Sequence, residues 1–85
     1  MAVTIYSKPA GGFGYTKTRE LFNAAGIENV LVDITTNAAA LEYVSEKRGY
    51  SQAPVVVYER EGTVNHWSGL NPPEIKKIIT IEQAA

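Results

Sequence analysis

Apolar positions along this chain recur at two alternating spacings. Val3-Thr4-Ile5-Tyr6 is a run of β-favouring residues that ends at Lys8-Pro9, where proline cannot donate to a ladder. Further on, Thr18, Leu21, Phe22 and Ala25 fall at helical spacing, while Lys17, Arg19, Glu20 and Asn23 lie off that face. Gly26 predicts a left-handed stop to that helix. Val30-Leu31-Val32-Asp33-Ile34 is mostly apolar, the pattern of an interior parallel strand covered on both faces. Residues 3–34 therefore predict β-α-β.

The second half continues the alternation. Thr35, Thr36 and Asn37 offer side-chain oxygens to the free amides of a helix starting near Ala38, and Lys47-Arg48-Gly49 supplies cations and a glycine stop at its far end. Val55-Val56-Val57-Tyr58 and Thr63-Val64-Asn65-His66-Trp67 predict an antiparallel hairpin turned by Glu59-Arg60-Glu61-Gly62, whose charges are expected to be solvated. Asn71-Pro72-Pro73-Glu74 combines a cap residue, proline in the first turn and a carboxylate three positions after the cap. Ile75, Ile78 and Ile79 give the last helix one apolar face, and Ile81 to Ala85 are expected to fray. The order β-α-β-α-β-β-α, with right-handed crossovers, predicts an α/β fold: a four-stranded mixed sheet with helices on both faces.

Composition narrows the function classes. The 85 residues are the length of one small domain, expected to span residues 1–85, and 45% hydrophobic content sets the chain apart from disordered sequences. A net charge of -1, with Lys and Arg dispersed along the length, leaves no basic stripe for nucleic acid. No run approaches the ~20 apolar residues of a membrane span, and Met1-Ala2-Val3-Thr4 has no basic leader, so a cytoplasmic protein without membrane partners is expected. The chain has no cysteine, which excludes a disulfide framework, a thiolate zinc site, an iron–sulfur cluster and a thiol nucleophile in this polypeptide. His66 is the one histidine and reads as a packing or surface residue, so neither a metal nor a cofactor is expected.

Three short motifs sit at matching spacings: Tyr6-Ser7-Lys8-Pro9-Ala10 after the first strand, Gln52-Ala53-Pro54-Val55-Val56-Val57 at the third, and Trp67-Ser68-Gly69-Leu70 before the last helix. Together they resemble the NrdH-redoxin branch of the glutaredoxins, over nearly the whole chain. The resemblance implies a thioredoxin-like, glutaredoxin-type fold and a small electron carrier, reduced by a thioredoxin-reductase-type flavoprotein and passing electrons to ribonucleotide reductase. In that family Lys-Pro-Ala is followed by Cys-x-x-Cys; here those positions are Gly11, Gly12, Phe13 and Gly14, so both sulfurs are replaced by glycine. Thiol–disulfide exchange needs an attacking thiolate and a resolving sulfur, so this chain is expected to be redox-inactive.

What remains is a set of candidate contacts. The segment from Gly11 to Gly14 precedes a helix whose free amides, with Lys8, would suit a carboxylate, phosphate or glutathione-type anion; the bland reading is a loop without function. Lys17-Thr18 does not complete a phosphate-binding loop, because Thr16 stands where glycine is needed. The resemblance implies a cis Ala53-Pro54 bond, with Gln52, Ala53 and Pro54 offering backbone to an extended partner peptide. Trp67, with Ser68 and Gly69, is either a partner anchor or a core residue capping the hairpin, and Phe13, flanked by glycines, is expected to be exposed. Asp33 is expected to bond nearby backbone amides. The expected partners are the flavoprotein or a reductase peptide, with an anion or glutathione binder as the alternative and a self-associating assembly subunit as a third reading.

Overall fold

In the computed structural model, which describes residues 3–8, 12–50 and 52–84, four strands form one mixed sheet. The elements are β1 (Val3–Ser7), α1 (Gly12–Ala24), β2 (Asn29–Asp33), α2 (Ala38–Glu42), β3 (Val55–Arg60), β4 (Thr63–Ser68) and α3 (Pro72–Ala84), and the sheet order is β2-β1-β3-β4. β1 pairs parallel with β2 and antiparallel with β3, and β3 pairs antiparallel with β4. The element order and mixed sheet are those expected from the sequence.

Period-two alternation decides which residues make the core. Val3 and Ile5 of β1 are opposite Tyr58 and Val56 of β3, and Val56 is opposite Trp67 of β4. All five side chains share one face, which Phe22 of α1 and Ile75 and Ile78 of α3 cover, closing the hydrophobic core. The intervening residues face α2, where the Tyr6 and Tyr43 rings meet at 5.4 Å. Burial, and then the neighbouring Tyr43, raise the Tyr6 pKa above its ordinary value.

Capping follows the local signals. The Asn37 side chain accepts from Ala40 N–H at 3.0 Å, and Asn71 Oδ1 accepts from Glu74 N–H at 3.3 Å. α2 then widens into a π-turn over Tyr43–Lys47, where Arg48 N–H donates to Tyr43 C=O at 3.1 Å. Nothing in the apolar spacing announced that turn. The Arg48 guanidinium lies 5.4 Å from the Tyr43 ring centre and donates to its hydroxyl at 3.0 Å, holding the widened end.

Four expectations require correction. β2 is an edge strand, not an interior one: the β3–β4 hairpin takes the other side of β1, and Val30 is left 51% exposed. Its apolar run reflects cover by helices rather than neighbours on both edges. The hairpin turn is only Glu61–Gly62, both at positive φ (49° and 82°), the geometry that matches the twist of paired strands. Arg60 therefore belongs to β3, and its guanidinium pairs with Glu82 at 2.8 Å instead of being solvated. α3 runs on through Ile81 to Ala84 where fraying was expected, because Tyr58 OH donates to Glu82 and Ile81 packs on the core; Ala85 lies outside the described residues. The glycine-rich segment is not a loop ahead of α1, since the helix begins at Gly12 and includes Phe13 and Gly14 in its first turn.

Two outcomes are expected. Asn37→Ala removes the α2 cap and should lower unfolding free energy by about 1 kcal/mol in urea denaturation. The hydrogen bond from Tyr58, and then that from Arg60, hold the Glu82 carboxyl below its ordinary value, and bonds from Thr35 do the same for Asp33. Folded carboxyls with lowered pKa add stability above their unfolded value and lose it as pH falls through the folded one. The denaturation midpoint should therefore drop as pH falls below about 5, and Glu82→Gln should make that drop shallower, leaving the part due to Asp33.

Candidate functional site

The site forms where the C-terminal end of β1, the first turn of α1, the segment entering β3 and the turn after β4 come together. Pro54 is buried at the start of β3, behind a cis Ala53–Pro54 bond, the isomer implied by the resemblance. Gly69 N–H donates to Pro54 C=O at 2.8 Å, so the β4 turn is tied to the same point. A Cβ placed on Gly14 would meet Pro54 Cδ at 3.4 Å and Leu70 Cβ at 3.9 Å, ordinary contact distances. Gly14, Pro54, Gly69 and Leu70 thus form one cluster. Gly11 lies outside the described residues, as do Pro9 and Ala10.

The two described motif glycines differ physically. Gly12 has φ of 78°, a conformation costly for any other residue, whereas Gly14 has helical backbone and room for a Cβ in contact with Pro54. Glycine at 14 is therefore not a steric requirement of the fold. Its carbonyl accepts from the buried Thr18 hydroxyl at 2.7 Å, which ties the first turn to the next.

Beside this cluster lies a groove of about 400 Å³. Lys8, Gln52 and Ala53 stand along it, with Leu41, Val44, Tyr50 and Val55 supplying apolar walls. Lys8 is exposed, and among the described residues no carboxylate lies within ion-pair distance of it. Phe13 is 73% exposed on the first turn of α1, as expected for an aromatic flanked by glycines.

Trp67 is not a surface anchor. Its register opposite Val56 points the indole into the core, where it is 6% exposed, and its Nε1 is buried without a hydrogen-bond partner. The Ser7 hydroxyl is similarly buried and unpartnered. Of the third motif, Ser68 and Gly69 are the half-buried portion that reaches the site.

His66 is a packing residue: its Nδ1 shares a 2.7 Å hydrogen bond with the Tyr50 hydroxyl, and the rings meet edge to face. The Asp33 carboxylate accepts from Thr35 N–H at 2.8 Å and from its hydroxyl, the local bonding expected of it. Among the described residues no three His, Cys, Asp or Glu side chains are grouped to hold a metal, and no helix is long and apolar enough to cross a membrane. Reading the sequence missed Leu70 and Tyr50. Leu70 directly follows the Trp-Ser-Gly motif and was within reach; Tyr50 is brought in only by the tertiary path of the segment after α2.

Chemically, the arrangement offers an exposed aromatic, a lysine, accessible backbone at Ala53 and an apolar groove, and it lacks sulfur. The sequence model of the glutaredoxin family matches residues 3–62. The Gene 56 protein of Mycobacterium phage L5 is 30% identical over 77 residues, covering 91% of this chain and 71% of that protein. NrdH-redoxin from Escherichia coli superposes with a TM-score of 0.78 at 23% identity, over 92% of this chain and 95% of its own. The glutaredoxin grx-1 of Archaeoglobus fulgidus gives 0.72 at 22%, over 91% and 84%. The two structural matches establish the thioredoxin-like fold, and the family match, with the phage relative, shows that the chain belongs to the glutaredoxin family.

Proposed function

We propose that this chain is a redox-silent glutaredoxin homologue that binds the partners of a redoxin without exchanging electrons with them. One observation carries the reading: Gly14, where the second sulfur would stand, still sits against Pro54 and Leu70 with room for a Cβ, while the chain has no cysteine. A thiolate is the one component that no other side chain here replaces.

The partner is an extended peptide or loop of a thioredoxin-reductase-type flavoprotein or of ribonucleotide reductase, which implies a cytoplasmic setting. Phe13 supplies an aromatic anchor of the kind that dominates interface energies. The exposed segment Gln52–Ala53 offers backbone hydrogen bonds, and the groove beside it takes an apolar side chain. The likeness to NrdH-redoxin, described as having a thioredoxin-like activity profile, supports a protein partner.

Lys8 at the rim of the groove favours a second reading, in which a small anion or glutathione is the ligand. Isothermal titration with glutathione and with inorganic sulfate separates the two; heat from glutathione at micromolar concentrations would favour the small-molecule reading.

The decisive measurement is a reductase-coupled disulfide-reduction assay on the Gly11→Cys/Gly14→Cys variant beside the parent. The parent should show no turnover, and the variant should turn over with the flavoprotein. A variant that folds yet stays inert with both thiols reduced sinks the docking proposal. In the active background, Phe13→Ala should raise KM about tenfold, equivalent to ~1.4 kcal/mol of lost contact, with kcat little changed.

A further inference from the structure

The outer strand β2 carries an apolar centre, Val30-Leu31-Val32, and β1 is its only neighbour in the sheet. Val3 N–H donates to Glu28 C=O at 3.4 Å, and Ile34 N–H donates to Ser7 C=O at 3.2 Å. Peptide groups turn to opposite edges of a strand at successive residues, so the even positions Val30 and Val32 also address β1. The N–H and C=O groups of Asn29, Leu31 and Asp33 therefore point to the open edge. Such edges are ordinarily blunted by charged side chains, proline, a bulge or brevity; the five residues Asn29-Val30-Leu31-Val32-Asp33 carry one charge, at the end, and no lysine, proline or bulge. The opposite edge, β4, is by contrast largely polar, with Thr63, Asn65, His66 and Ser68.

We propose that β2 pairs antiparallel with β2 of a second copy of this chain, about a two-fold axis at Leu31, joining two sheets into one. The strand is self-complementary about that point. Leu31 meets Leu31, Val30 meets Val32, and Asp33 meets Asn29, so no like charges are opposed. Arg19 Nε donates to Asn29 Oδ1 at 3.0 Å, which places a guanidinium beside the position that Asp33 of the second copy occupies. The parity is also right. All three outward-facing positions become hydrogen-bonded pairs, adding about six backbone hydrogen bonds. Moving the axis to Asp33 would set carboxylate against carboxylate, and moving it to Asn29 would leave fewer strand residues paired. Half-exposed Val30 gains an apolar neighbour in Val32 of the second copy.

The interface is small, so association is weak, with a midpoint between about 10 µM and 1 mM in sedimentation equilibrium. Amide exchange followed by NMR across that range should slow at Asn29, Leu31 and Asp33 and stay unchanged at Val30 and Val32, which β1 already protects. Leu31→Pro deletes an outward N–H that makes no bond to β1 and should abolish the dimer. Val30→Lys alters a half-exposed side chain and should weaken it roughly tenfold through loss of two symmetry-related apolar pairs. If Leu31→Pro does not fold, Val30→Lys decides alone. A parent that stays monomeric up to about 1 mM overturns the proposal, as does a dimer protected elsewhere or one that folded Val30→Lys leaves undiminished.

Discussion

The antiparallel pairing of β1 with β3 is the constraint on which the other elements depend. It places Val3 and Ile5 against Tyr58 and Val56 at the centre of the sheet, on the face that α1 and α3 must cover. Those strands are the two interior ones, so their alternating residues have helices above and below them. The same register sets Tyr6 opposite Val55, which carries the end of β1 and the start of β3 to one end of the sheet. Lys8, Gln52 and Ala53 share a groove for that reason. The site is a by-product of where two central strands stop and start.

Much of this was legible because the signals were local. Caps at Asn37 and Asn71 and the apolar faces of α1 and α3 each rest on residues within a turn or two of one another. The direction of Trp67 was also within reach. A two-residue turn at Glu61–Gly62 pairs Arg60 with Thr63, and counting back along both strands sets Trp67 opposite Val56, on the core side. Reading the turn as four residues slips the pairing by two, which sets Trp67 opposite Pro54 but leaves it on the same face as Val56 and Tyr58. The edge position of β2 was harder to see, since an apolar run records cover by helices as readily as cover by strands. Glu82 meeting Tyr58 and Arg60 spans more than twenty residues, and no short-range pattern encodes it.

At the site, the recognisable motifs reached their places through backbone more than through side chains. Pro54 is held by its carbonyl's bond from Gly69, and Gly14 by the bond its carbonyl accepts from Thr18. A scaffold fixed in this way tolerates loss of a reactive side chain, because no packing in the core depends on it. The partial positive charge at the start of α1 persists as well, since it belongs to the aligned peptide groups of the helix.

The meeting of Tyr58, Arg60 and Glu82 has a consequence for how the molecule opens. It ties the last turn of the C-terminal helix to the turn end of β3, in addition to the core contacts that Ile75 and Ile78 make. A terminal helix would ordinarily be the first element to detach in small native-state fluctuations. Here its departure requires releasing Glu82 from Tyr58 and Arg60, so the end of α3 opens together with the interior strand β3 rather than ahead of it.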